Sequence, residues 1–133
     1  MPDPAKEFIK AAKKGNVANL KALLKSDGKL LEARDSDGST ALHCATWKGL
    51  EATVSWLISV GANVHAHNEN DHWGTTALHA AAHANQAKIA QRLIDAGADV
   101  NAKDREGRTP LFHTSFHKAK ATEKVLLKHG AVR

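Results

Sequence analysis

Apolar residues in this chain recur in short helical bursts, not in strand-like alternation. Val54, Leu57 and Ile58 lie at helical spacing, as do Ile89, Leu93 and Ile94, and again Thr122, Val125 and Leu126. Each set predicts a helix with one apolar stripe. Ahead of each lies a second kind of segment, "ALHCATW", "ALHAAAH" and "PLFHTSF", preceded by Thr40, Thr76 and Thr109. A threonine there can cap free backbone N–H groups, and small alanines allow close packing, so each segment predicts a helix of about two turns. Gly15, Gly49 and Asn85 stand where a left-handed residue stops the first helix of each pair; Lys118 occupies that place in the last unit. Gly61, Gly97 and Gly130 stop the second helix.

These segments belong to one internal repeat. "GSTALHCATWKG" at Gly38–Gly49 returns as "GTTALHAAAHAN" at Gly74–Asn85 and as "GRTPLFHTSFHK" at Gly107–Lys118. "LISVGANVHA" at Leu57–Ala66 returns as "LIDAGADVNA" at Leu93–Ala102, and in shortened form as "LLKHGAV". Leu42 and Leu78 are 36 residues apart, whereas Leu78 and Leu111 are 33 apart. A fainter first copy aligns Phe8, Gly15, Leu20 and Leu23 with Leu42, Gly49, Val54 and Leu57. Such a period marks units that bury their apolar faces only by stacking.

The chain resembles the ankyrin repeat proteins. The resemblance rests on T-[AP]-L-H-x-A at Thr40–Ala45 and Thr76–Ala81, on G-A-[ND]-V-[HN]-A at Gly61–Ala66 and Gly97–Ala102, and on the 33-residue period. It implies an all-α solenoid of helix-turn-helix units joined by β-turn or hairpin-like loops. The expected units are a capping repeat at 1–35, a second at 36–68, a third at 69–104 with a three-residue tip insertion, and a capping repeat at 105–133. It also implies a hydrogen-bond arrangement between each motif Thr and His around His43 and His79, which Phe112 interrupts in the last unit. Ala41 and Ala77 stand where the family's usual proline would be. The surroundings of Asn101 resemble those of hydroxylated asparagines in the family.

Charge fits end caps. Residues 1–34 sum to +4, residues 35–104 to −4 and residues 105–133 to +5. An end repeat has a face without a neighbour, and its apolar positions must become polar. Lys6, Lys10, Lys13 and Lys14 at one end, and Lys118, Lys120, Lys124 and Lys128 at the other, suit that role. The basic ends therefore read as solvated caps more readily than as a nucleic-acid surface, which would gather its charge on one face. No run of 18 apolar residues predicts a membrane span, and no signal peptide is evident. The lone Cys44 cannot form an internal disulfide, so a cytoplasmic, reducing setting is expected.

No phosphate-binding loop, nucleophile elbow or zinc-finger cysteine set occurs, so neither enzyme activity nor a cofactor is expected. Nine histidines raise a metal reading. His65, His67 and His72 share one connection, and His79/His83 and His113/His117 have helical i, i+4 spacing. That reading ranks behind structural roles for the same residues. The resemblance instead implies a recognition surface built from loop tips and the exposed side of each first helix. The tip positions are Ser36, Asp37 and Ser39; Asp71, His72, Trp73 and Thr75; and Arg105, Glu106 and Arg108. The helix positions are Lys13, Trp47, His83 and Phe116, followed by Lys14, Lys48, Ala84 and His117. Trp47, His83 and Phe116 would form a row, with Trp73 on the longest tip as a further anchor or a ring packed on its own turn. Asp37, Asp71 and Glu106 favour a partner with basic groups around an apolar anchor. The expectation is a monomeric module that binds another protein, with a nucleic-acid-associated or metal-responsive role as the alternatives. Trp56, on the second helix, reads as partly buried structure.

Overall fold

The computed structural model describes residues 3–68 and 74–132, and over these its named elements are all helices. The described residues form four helix pairs. These are α1 (Pro4–Lys14) with α2 (Val17–Ser26), α3 (Ala41–Trp47) with α4 (Glu51–Ser59), α5 (Ala77–His83) with α6 (Ala87–Asp95), and α7 (Pro110–His113) with α8 (Lys120–Lys128). A short 3-10 helix, Gly28–Glu32, follows α2. An isolated antiparallel bridge joins Arg34 to Thr40.

First helices pack on first helices, α1 on α3, α3 on α5 and α5 on α7, while α4, α6 and α8 form a second layer. Composition explains the spacing of the first layer. Ala41, Ala45, Ala77, Ala81 and Ala82 are fully buried, so neighbouring backbones approach closely. The larger core residues bridge the layers: Phe8, Leu20, Leu42, Leu57, Leu78, Ile89, Leu93 and Leu126 lose essentially all exposure. Each such side chain contributes about 1.5–3 kcal/mol of hydrophobic free energy. Trp56 is half-buried against this core. The end lysines Lys6, Lys10, Lys13 and Lys14, and Lys118, Lys120, Lys124 and Lys128, are all exposed.

Local chemistry sets the helix ends. Asp3 caps α1 by accepting from the Ala5 N–H, with Pro4 opening the helix. Thr40 and Thr76 cap α3 and α5 through reciprocal boxes. Each threonine hydroxyl accepts the N–H of the histidine three residues on, and the imidazole Nδ1 accepts the threonine N–H. In the last unit Thr109 accepts from the Phe112 N–H, but phenylalanine cannot return the bond. The hydroxyls of Thr114 and Ser115 then donate back to the carbonyls of Leu111 and Phe112. α7 consequently spans 4 residues, where α3 and α5 span 7, shorter than the two turns its sequence predicts.

The same histidines fasten each unit to the next. His43 Nε2 donates to the Thr75 carbonyl at 3.0 Å, and His79 Nε2 donates to the Arg108 carbonyl at 2.9 Å. Because Nδ1 accepts a backbone N–H and Nε2 donates to a carbonyl, both rings are held as the neutral Nε2–H tautomer. Burial holds each imidazole down at about 4, against the Thr75 and Arg108 carbonyls, which favour the charged form.

The left-handed stops occur as predicted, at Gly15 (φ 72°), Gly49 (φ 71°), Asn85 (φ 55°) and Lys118 (φ 52°). Asn85 has a compensating role, since its Oδ1 accepts from the backbone N–H and hydroxyl of Thr122.

Two outcomes are expected. Below pH ~6.5 the unfolded chain protonates its histidines, whereas folded His43 and His79 resist protonation until about pH 4. Their folded values are depressed, so their stabilisation is complete above pH ~6.5 and is lost as pH falls toward 4, by about 3 kcal/mol per ring. Urea midpoints across that window should fall steeply; a flat profile would contradict the neutral tautomers. Separately, Lys118→Gly relieves left-handed strain and should raise unfolding free energy by about 1 kcal/mol, whereas Asn85→Gly loses the Thr122 bonds and should bring no gain.

Candidate functional site

Trp47 closes α3 and His83 closes α5, while Phe116 lies just beyond α7. The stacking of first helices brings these three side chains into one line. Trp47 meets His83 edge-on at 5.2 Å between ring centroids, and His83 meets Phe116 at 5.2 Å. Phe112 extends the row, 5.6 Å from Phe116, with the Arg108 guanidinium 5.5 Å over its ring. The apolar members keep substantial exposure: Trp47 47%, Phe112 47% and Phe116 42%. Trp47 therefore leans on the following unit without being buried in the crevice. Lys48 and His117 are exposed beside the row, and Ala84 is half-buried. Phe112 was not singled out in the sequence beyond its replacement of the motif histidine. Its exposure follows from that position, since among the described residues no later turn offers a carbonyl to an imidazole there.

The tips are built on one recurring turn. Asp35 N–H donates to the Ser39 carbonyl, and its Oδ1 accepts from the N–H groups of Asp37 and Ser39. Asp104 repeats the pattern with Arg108 and Glu106. In the third unit Asn68 takes the aspartate's place, its N–H donating to the Thr75 carbonyl. The closing residues are four positions apart in the first and last of these turns and seven apart here, which places the three extra residues inside the loop. Ser36, Asp37, Arg105 and Glu106 are exposed, and Ser39 and Arg108 partly so.

Thr75 corrects the sequence expectation. It is 6% exposed, its hydroxyl donates to Asn68 Oδ1 at 2.7 Å, and its carbonyl receives His43, so it braces the tip from inside. Asn68 in turn donates to the Ser39 hydroxyl. At Gly74 (φ 59°) a Cβ would fall 2.6 Å from Arg105 Cγ, because the Arg105 side chain crosses this backbone. Asp71, His72 and Trp73 lie outside the described residues.

The histidines divide into separate groups. His65 and His67 are exposed, and His67 Nε2 donates to the Lys103 carbonyl at 3.2 Å; the third member of that proposed set, His72, lies outside the described residues. His79, Asp104 and His113 bring three potential ligand atoms within 4.8 Å of one another. All three are buried and engaged: His79 Nε2 with the Arg108 carbonyl, and His113 Nε2 with Asp104 Oδ2 at 2.9 Å. Burial outweighs the nearby carboxylate and holds His113 below its ordinary value. Burial alone would raise Asp104, but the backbone donor at Arg108, the His113 bond, the Glu106 N–H and the Arg108 guanidinium outweigh it and hold the carboxyl low. The pair is thus a neutral imidazole donating to a carboxylate. A metal there would break the links that fasten α5 to the last unit. The i, i+4 partners do not converge: His79 and His113 turn inward, whereas His83 and His117 meet across units at 3.2 Å between Nε2 atoms.

Two further residues are structural. Cys44 is buried and free, and burial beside Asp35 pushes its thiol up to about 12, which leaves it unreactive as a nucleophile. Asn101 Oδ1 accepts the Val132 N–H at 3.0 Å and Nδ2 reaches the Gly130 carbonyl, tying the chain's last turn to the preceding loop. Among the described residues no helix is long and apolar enough to cross a membrane.

Comparison with known proteins agrees with this architecture. The family profile described as "Ankyrin repeats (3 copies)" matches residues 7–68 and 63–132. Ankyrin repeat domain-containing protein 49 of Bos taurus is 38% identical over 64 residues, covering 48% of this chain and 27% of that protein. The Homo sapiens protein of the same name is 36% identical over 64 residues, with the same coverage. The matched stretch thus spans about a quarter of these relatives' length. A profile match along nearly the whole chain, over helix pairs fastened by a histidine that recurs in register, establishes that the chain belongs to the ankyrin repeat family.

Proposed function

We propose that this chain is a non-catalytic module that binds another protein through the aromatic row and the tips beside it. Ankyrin repeats are generally protein–protein interaction modules. The observation that carries the proposal is the row itself. Trp47 on the second unit and Phe112 and Phe116 on the fourth stand 42–47% exposed, joined across the third by His83, whereas the large apolar side chains Leu42 and Leu111 of the same helices are buried. Aromatic rings supply contact area at low entropic cost and dominate binding hot spots. Their contacts with neighbouring rings leave each of the three about half solvated, so much of each ring remains available to a partner.

The flanking groups shape the partner. Asp37 and Glu106 sit exposed on the tips; by sequence register Asp71, His72 and Trp73, outside the described residues, are proposed to complete the surface. Arg108 and His117 contact the row, and Ser39, Lys48 and Arg105 add further polar and cationic groups to the proposed surface around His83. This arrangement favours a partner that offers an apolar anchor rimmed by mixed charge, with basic groups opposite Asp37 and Glu106. The module is proposed to act as a monomer in the cytoplasm and to use no cofactor. The exposed lysines at both ends are proposed as solvated end faces.

Trp47→Ala combined with Phe116→Ala should change unfolding free energy by no more than about 1 kcal/mol, because both rings are half solvated. The same variant should lose partner capture from native lysate, read by mass spectrometry against the wild-type chain. Retained capture, or global unfolding of the variant, would overturn the proposal. Capture that survives in the variant but collapses steeply as salt rises would point to nucleic acid through the basic ends.

A further inference from the structure

His83 and His117 come from different repeats, 34 positions apart, and their Nε2 atoms lie 3.2 Å from each other with ring planes at 85°. Sequence spacing pairs each of them with a residue on its own helix, but those residues are committed elsewhere: His79 to the Arg108 carbonyl and His113 to Asp104. Across the stack the His83 and His117 Nε2 atoms face one another at the surface.

The separation matches a metal bite. A tetrahedral ion bound at about 2.05 Å by two imidazoles holds their nitrogens about 3.3 Å apart. We propose that His83 Nε2 and His117 Nε2 form a two-histidine site for a borderline divalent cation, zinc being the type ion, that bridges the third and fourth repeats. The surroundings favour this. Trp47 and Phe116 pack on His83 at 5.2 Å each, which fixes its ring, while the exposed His117 has room to tilt its lone pair toward a shared ion. Burial, then the neighbouring His117 and His113, keeps His83 below its ordinary value. In the ion-free pair one ring donates its Nε2–H to the other. Binding moves that proton to Nδ1, with no net release when both rings begin neutral. The remaining coordination positions go to water. Imidazole donors suit zinc, nickel and copper, and give calcium or magnesium nothing they prefer.

The site rests on the His83–His117 geometry alone and does not depend on the proposed partner surface. It is tested by zinc titration of the full chain by calorimetry, with histidine side-chain nitrogen NMR. One zinc should bind per chain, and with zinc bound both His83 and His117 should be Nδ1–H tautomers, which requires the ring that donated its Nε2–H to switch. His83→Ala and His117→Ala should each weaken binding by roughly tenfold or more, while His65→Ala with His67→Ala leaves it unchanged. The exposed His117 variant guards against a folding effect at His83, and melting curves without zinc check both. Zinc affinity unchanged in His117→Ala, or loss that follows His65 and His67 instead, would overturn the site.

Discussion

The structure depends on a neutral imidazole that holds two backbones at once. In α3 and α5 the motif histidine accepts the threonine N–H at the start of its own helix and donates its single N–H to a carbonyl in the next turn. One side chain thereby satisfies a helix end, fixes its own tautomer and sets the distance to the following unit. The acceptor must be the residue that closes the next aspartate-type turn, Thr75 or Arg108, so the turn cannot slip relative to the helix behind it. Alanines next to the histidine make the approach possible, and the buried leucines make it favourable. Extra residues are tolerated only inside the loop, between Asn68 and Thr75, where they leave that carbonyl in place.

This constraint explains what could be seen in the sequence. Threonine caps, left-handed stops and the apolar stripe are local, so their spacing alone marks every helix and the period of the stack. The left-handed position of Lys118 was visible for the same reason, by register with Gly15, Gly49 and Asn85. Thr75 was misplaced because counting from the motif assigns it to the tip. Its hydroxyl turns inward only because Asn68, seven positions back, stands in for the usual aspartate across a longer loop. The brevity of α7 was hidden because it depends on two hydroxyls, at Thr114 and Ser115, competing for carbonyls once the imidazole is gone.

The candidate site was legible where it follows register and opaque where it follows stacking. Register places Trp47, His83 and Phe116 at equivalent positions, and the structure sets their rings side by side. Helical spacing, by contrast, pairs His79 with His83 and His113 with His117, because it considers one helix at a time. Stacking rotates one member of each pair into the core and brings the outer two together. His113 drew notice only as part of such a pair, yet it anchors Asp104 and hence the last turn. Its role appears only when the carboxylate nine positions earlier is folded back over it.

The histidine link also gives the stack a direction. Each imidazole reaches forward, from a helix to the turn that follows, and Ile9 stands at the matching place in α1 with no such bond to give. Peeling away the first helix pair exposes apolar surface but orphans no imidazole proton. Peeling away the last also breaks the bond from the His79 Nε2–H to the Arg108 carbonyl and leaves water to replace it, at a net cost of about 1 kcal/mol. The two ends of an apparently repetitive array are therefore not equivalent, and fraying that begins at the first helix meets less resistance than fraying that begins at the last.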